Sequence, residues 1–193
     1  MTRLDDTPVP DYAGRLRLDG RRFVVIGAGQ GIGRQASHAL AANGARLMTV
    51  DVDPDLAGDI AGEVDAVPWS GDATQRDEVE RMFADAASAL GGVDGFVDIV
   101  GISRFVDLLE ITDEEWNWHF DMSLRHAFLA MQYGAKAMAG HPGVMVFVAS
   151  VSGITSAPRH AAYGAAKAGL MSLVRTGAVE LGPLGIRVNA VAP

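Results

Sequence analysis

The chain has 193 residues, long enough for one domain with a sizeable core; 49% are hydrophobic, 21% charged, and the net charge is −8. That balance excludes a disordered chain, and the acidity argues against nucleic acid or anionic lipid as a partner. With no cysteine, disulfides and thiolate metal sites are excluded.

The first ten residues, MTRLDDTPVP, place acids and prolines where a secretory signal needs an apolar run. No apolar run reaches membrane-spanning length, and "VMVFVA" has the size and branching of a buried strand. The expectation is a soluble, cytoplasmic protein that does not engage membranes. Residues 1–17 read as a loose arm, with Pro8, Pro10 and scattered charges, and residues 18–193 as a single domain.

Short apolar strands then alternate with helical stretches. Phe23 to Ile26 reads as a first strand, followed by an alanine-rich helix that stops at Asn43-Gly44. Arg46 to Val50 is a second strand and Ala66 to Trp69 a weaker third. Helical signals resume from about Gln75 to Leu90 and end at Gly91-Gly92. Gly95 to Val100 is a fourth strand and Val144 to Ala149 a fifth. Between these two runs a long helix beginning near Thr112, where Thr112 and Glu115 have the spacing of a capping box. A further helix covers Ala162 to Leu181, and Ile186 to Val191 is a sixth strand. Alternation of this kind, with continuously apolar strands, predicts a parallel sheet covered by helices on both faces.

Gly27, Gly31 and Gly33 punctuate "VVIGAGQGIGRQ" between the first strand and its helix. A helix start offers unpaired N–H groups and the positive end of a dipole, which suit a pyrophosphate. Glycine lets the backbone turn sharply and approach the phosphate without a Cβ between them. A tight strand–helix turn would need some of the same glycines for geometry alone. Asp51, at the end of the second strand, weights the choice toward binding. A carboxylate there can accept hydrogen bonds from an adenosine ribose and would repel a 2′-phosphate, which favours NAD over NADP. Arg34 and Arg46 read as surface residues rather than phosphate ligands. Asp72, in "GDAT", is a candidate for the adenine amino group or an ordinary helix cap.

Tyr163 and Lys167 are four residues apart on one helix, so their side chains share a face. A free phenol titrates near pH 10, too high for proton transfer at neutrality, and a neighbouring ammonium favours the phenolate. Ser150, thirteen residues before the tyrosine, can donate to a carbonyl oxygen as negative charge builds there. A surface Tyr/Lys pair beside a capping serine is the plain alternative, and the glycine turn counts against it.

In this order, "GAGQGIG", Asp51, "GDAT", Ser150, "YGAAK" and "IRVNAVAP" resemble a short-chain dehydrogenase/reductase of the classical type, over about Leu18 to Pro193. The resemblance implies a Rossmann-type doubly wound α/β fold in three layers, with strand order 3-2-1-4-5-6 and the cofactor at the switch point. It implies Tyr163 as general acid/base, Lys167 as the residue that favours the phenolate and binds the nicotinamide ribose, and Ser150 as the substrate-orienting donor. Gly27, Gln30, Gly31, Ile32 and Gly33 would line the pyrophosphate site. Asp51, Asp72, Ala73, Asp98 and Gly101 would complete the NAD site with Tyr163 and Lys167. The implied activity interconverts a secondary alcohol and a ketone (or aldehyde), in a homodimer or homotetramer built partly from the helices around Thr112 and Tyr163. The substrate is then a small-molecule alcohol or carbonyl compound, and no metal is called for.

Three departures from the family pattern stand out. Its fourth strand typically ends Asn-Asn-Ala-Gly, where this chain has Asp98-Ile99-Val100-Gly101. An ionised aspartate only accepts hydrogen bonds, so it must find donors or alter the cofactor wall. The family's long helix carries an Asn-Leu pair whose asparagine supports a helix distortion in a proton relay. Alignment on Trp116 puts Ser123-Leu124 there; a serine can bond back one turn and bend a helix, so the resemblance makes Ser123 a relay member of the catalytic set, with a plain helix serine as the alternative. Finally, the chain stops at Pro193, without the family's substrate lid and last strand, which suggests a longer natural protein and leaves "IRVNAV" as an edge strand. These departures support, as the alternative, a catalytically impaired cofactor-binding or regulatory protein.

Trp116, Trp118 and His119 read as packing residues or a partner surface. His126, His141 and His160 lack a metal-ligand spacing, and His160, close to the catalytic helix, is a candidate substrate contact. Asn189 reads as a residue that fixes the end of the sixth strand.

Overall fold

The computed structural model describes residues 7–193. Six parallel strands form one sheet: β1 (Arg22–Ile26), β2 (Arg46–Asp51), β3 (Val67–Ser70), β4 (Gly95–Asp98), β5 (Gly143–Val148) and β6 (Ile186–Val191). Their spatial order is β3-β2-β1-β4-β5-β6, as the family resemblance implies. The chain winds one way from β1 to β3 and returns past β1 to add β4, so a crevice opens between β1 and β4.

The helices are α1 (Gly31–Ala42), α2 (Pro54–Val64), α3 (Arg76–Leu90), α4 (Asp113–Phe120), α5 (His126–Ala137) and α6 (Ala161–Leu181). The packed pairs α3 with α5 and α5 with α6 cover one face, and α1 with α2 the other. The larger core lies under α3, α5 and α6, where the Phe96 ring meets Phe83 and Phe147 edge-on at 5.5 and 5.4 Å. A smaller core of Val25, Ala28 and Ile60 lies on the opposite face. Burial on both faces explains why β1 is apolar at successive positions instead of alternating.

Several elements differ from the sequence expectation. α2 was not foreseen; its signal is Asp53-Pro54, in which Asp53 caps the N–H groups of Asp55 and Leu56 and proline takes the first helical position. β4 ends at Asp98, two residues short of the expected Val100, because Asp98 turns its side chain back onto the Val100 N–H. The capping box at Thr112 is half formed. Thr112 Oγ1 accepts the Glu115 N–H at 3.2 Å, but Glu115 Oε1 accepts from Arg104 Nη1 at 3.1 Å rather than reaching back.

The long helix is interrupted by a π turn at Asp121–Arg125, which separates α4 from α5. Of the N-terminal arm, residues 1–6 lie outside the described residues; within the remainder Gly14–Leu16 makes a short 3₁₀ turn. Pro68 sits on β3, an edge strand, where a missing N–H costs least. At the other edge, Ile186 and Val188 pack against the core while Arg187 and Asn189 face outward. Among the described residues no helix is long and apolar enough to cross a membrane, and no cluster of side chains could hold a metal ion.

Candidate active site

A cavity of about 610 Å³ opens at the carboxyl ends of the central strands. Its first wall is the glycine turn. Gly27 has φ +81°, a conformation that favours glycine, and a Cβ on Gly33 would stand 1.8 Å from the Gly27 carbonyl oxygen. The turn therefore brings the start of α1 directly onto the end of β1. Gln30, the N-cap residue of α1, makes no side-chain cap hydrogen bond, so no side chain competes for the first-turn N–H groups. Gln30 and Ile32 line the cavity with Gly27, while Gly31 and Gly33 shape the turn without lining it.

Asp51 ends β2 at the cavity wall. Its Oδ2 accepts the Gly29 N–H at 2.9 Å and its Oδ1 the Asp53 N–H at 3.2 Å. A carboxylate has roughly four acceptor positions, so two partners leave capacity for hydroxyls. The next residue, Val52, is 70% exposed and also lines the cavity. Asp72 and Ala73 follow on the same wall. Burial alone would raise the Asp72 carboxyl, but hydrogen bonds from the Thr74 hydroxyl and N–H, and from Gln75, outweigh it and hold Asp72 below its ordinary value. Asp72 thus serves as a local turn cap while lining the cavity. Arg34 pairs with Glu63 and Arg46 donates to the Leu90 carbonyl, so neither reaches this site.

The opposite wall carries Ser150, Tyr163 and Lys167. Ser150 Oγ accepts the Ser152 N–H at 3.2 Å, which orients the hydroxyl and leaves its proton free to donate. Lys167 is 2% exposed; its Nζ donates to the Val148 carbonyl at 2.8 Å and lies 5.9 Å from the centre of the Tyr163 ring. Burial pushes the Lys167 ammonium below its ordinary value, and the Asp98 carboxylate opposes that fall. Gly101 also lines the cavity and backs onto Lys167, with a Cβ there 2.8 Å from Nζ.

Two further residues of the expected site lie elsewhere. Ser123 is fully buried within the π turn, and its Oγ has no hydrogen-bond partner among the described residues. The anticipated back-bond from serine to a carbonyl is therefore not made, and the helix distortion resides in the main chain. Asp98 does not line the cavity. It is 2% exposed beneath the cavity floor, with Oδ1 accepting the Val100 N–H at 3.1 Å.

Three histidines lie around the site, of which the sequence marks His160 alone as a candidate substrate contact. His119 is 2% exposed; its Nδ1 lies 2.8 Å from the Glu115 carbonyl and its Nε2 accepts the Arg104 N–H at 3.1 Å, which puts the ring proton on Nδ1. With Arg104 stacked 3.7 Å over Trp118, it ties the loop after β4 to α4. His160 stacks on Phe105 and stands 5.7 Å from the Tyr163 ring. His126, on α5, faces Asp98. The available signal for His126 was its place on the buried stripe of α5 with Ala127, Ala130 and Gly134.

A doubly wound parallel sheet, a glycine turn at its switch point and a Tyr/Lys pair across the same cavity define a nucleotide-binding oxidoreductase of Rossmann type. Residues 27–193 match a family described as enoyl-(acyl carrier protein) reductase. A 2,5-dichloro-2,5-cyclohexadiene-1,4-diol dehydrogenase of Sphingobium indicum is 34% identical, over 91% of this chain and 72% of its own. A short-chain dehydrogenase/reductase of Hericium erinaceus is 34% identical over 88% and 72%. A 7α-hydroxysteroid dehydrogenase solved with NADH and 7-oxo glycochenodeoxycholic acid superposes with a TM-score of 0.92, at 27% identity over 95% and 74%. The chain belongs to the short-chain dehydrogenase/reductase family, oxidoreductases that act on CH–OH groups with nicotinamide cofactors.

The residues present fit such a cofactor. The close approach of Gly33 to Gly27 leaves a cradle without side chains, the start of α1 is uncapped, and Asp51 retains free acceptor positions at the cavity wall.

Proposed function

We propose that this protein is an NAD-dependent oxidoreductase interconverting a secondary alcohol and a ketone (or aldehyde), carried by one cofactor-binding unit spanning 18–193. The observation that carries this reading is the placement of Tyr163 and the buried Lys167 in the cavity that the glycine turn and Asp51 also line.

Gly27, Gln30 and the first turn of α1 would hold the pyrophosphate, Asp51 the adenosine ribose, Asp72 and Ala73 the adenine end, and Lys167 the nicotinamide ribose. The cofactor, when bound, supplies the hydride acceptor or donor. In oxidation Tyr163 Oη, as phenolate, takes the proton of the substrate hydroxyl; in reduction it returns that proton to the carbonyl oxygen. The Lys167 ammonium stabilises the phenolate, and the Val148 carbonyl holds it in place. Ser150 donates its free proton to the substrate oxygen. Preference for NAD rests on the Asp51 charge together with Val52, which offers nothing to a 2′-phosphate. Assembly as a homodimer or homotetramer through α4, α5 and α6 is supported by Trp116, Phe128 and Val179, which are 40%, 40% and 76% exposed.

The test is NADH formation across a panel of secondary alcohols, with thermal stabilisation by NAD measured in parallel. Wild type is expected to turn over, and Tyr163→Phe to lose at least about a hundredfold in rate while keeping NAD stabilisation. NAD stabilisation with no turnover of any alcohol or ketone would favour a binding or regulatory protein.

A further inference from the structure

Beneath the cavity floor, two ionisable side chains are buried against each other outside the catalytic trio. Asp98 Oδ2 and His126 Nε2 are 3.2 Å apart, and each side chain is 1% exposed. That is hydrogen-bond range, yet among the described residues Oδ2 has no partner aligned for a hydrogen bond, so the imidazole is a close polar neighbour rather than a hydrogen-bonded one. Isolated carboxylates are rarely buried, because removal from water is costly unless something holds the charge.

The surroundings show where that charge acts. Asp98 pairs in register with Ile26 on β1 and Phe147 on β5, neither of which is charged. One residue beyond Phe147 is Val148, whose carbonyl receives the Lys167 ammonium. Three residues beyond Asp98 is Gly101, against whose backbone Nζ rests. Among the described residues, His126 on α5 lies 3.2 Å from Asp98, and Lys167 on α6 is the cation whose protonated form that carboxylate favours. Asp98 therefore stands at the strand end over which the ammonium is held.

We propose that Asp98, held by His126, is a positioning residue whose carboxylate keeps the buried Lys167 protonated and so sets the pH range in which Tyr163 works. This inference rests on the oxidoreductase reading for its catalytic meaning, but not for its electrostatics. The Lys167 ammonium loses hydration on burial and, among the described residues, gains only one neutral carbonyl as a hydrogen-bond partner, so a nearby carboxylate is the natural compensation. The aspartate that departs from the family's asparagine thereby acquires a task asparagine cannot perform, because a carboxamide carries no charge.

The chain contains two lysines, Lys136 and Lys167, so Lys167 can be observed directly in protein carrying ¹³Cε-labelled lysine. Titration by NMR, without cofactor or substrate, gives its midpoint, with Lys136 as internal reference. Asp98→Asn is expected to lower the Lys167 midpoint by about one unit or more while Lys136 stays put. His126→Leu, which leaves the buried carboxylate without its polar neighbour, is expected to lower it as well, and His126→Gln, which retains a polar neighbour, to restore it. If Asp98→Asn does not fold, the two His126 variants decide alone. In turnover, the alkaline limb of the pH–rate profile is expected to move down with the Lys167 midpoint. A Lys167 midpoint unchanged within about 0.3 unit in every folded variant would overturn the inference and leave the oxidoreductase reading intact. Absence of turnover would sink that reading and leave the lysine titration to stand or fall by itself.

Discussion

The Asp51 carboxylate accepts the Gly29 N–H at 2.9 Å, so the end of β2 and the glycine turn after β1 hold each other. The acid proposed to select the cofactor also braces the loop proposed to cradle its phosphates. Asp51→Ala is therefore expected to weaken NAD about tenfold or more, through loss of charge-assisted hydrogen bonds. Asp51→Ala with Val52→Arg is expected to shift the ratio of kcat/KM for NADP over NAD upward by about tenfold or more. Steady-state kinetics with both cofactors read this directly, and an unmoved ratio removes Asp51 from cofactor selection.

Lys167 predicts opposite effects on activity and stability. Lys167→Met is expected to lower turnover by about a hundredfold or more, since the phenolate loses its counter-charge. Burial depresses the Lys167 ammonium in the folded state below its unfolded value of 10.5, so the unfolded chain binds the proton more readily between the two values. The resulting cost to the fold is fully present below the depressed value and is relieved as pH rises through it toward 10.5. Methionine never bears that cost. The difference in Tm between Lys167→Met and wild type is thus expected to favour the variant most near neutrality and to shrink toward pH 10. A difference that grows with pH would show that burial does not penalise the ammonium.

Asp94 governs acid stability at the opposite end of the sheet. Arg22 grips it with Nε at 2.7 Å and Nη2 at 2.8 Å, and adds its backbone N–H at 2.9 Å. These hydrogen bonds, working against burial, hold the Asp94 carboxyl down to about 2 from 3.8. The stabilisation is present above 3.8 and is lost as pH falls from there toward 2. Asp94→Asn is expected to cost about 2 kcal/mol at neutral pH and to erase that part of the acid transition. Urea titrations at pH 7 and pH 3 measure both effects.

The fold was largely legible because its signals are local. Apolar strands at Phe23 to Ile26 and Arg46 to Val50, separated by a glycine turn and an alanine-rich helix, allow few arrangements other than a doubly wound sheet. α2 escaped notice because its acids look like a solvated strand end until Asp53 is seen to cap it. Ser150, Tyr163 and Lys167 were legible by spacing, since a single helical turn and the preceding strand end bring them to one wall.

Contacts between distant segments were not legible. His126 and Asp98 are 28 positions apart, and only the packing of α5 against β4 brings them to 3.2 Å. Likewise, a serine in a helix does not announce whether its hydroxyl bonds back; at Ser123 it does not, and the π turn supplies the distortion. The sequence by itself determined the strand–helix alternation, the glycine cradle and the Tyr/Lys face, because each follows from residue periodicity and steric allowance over a few neighbours, while the strand order came from the family resemblance. The tertiary structure alone decided which charges are buried together, because desolvation and Coulomb attraction depend on distances that chain separation does not encode.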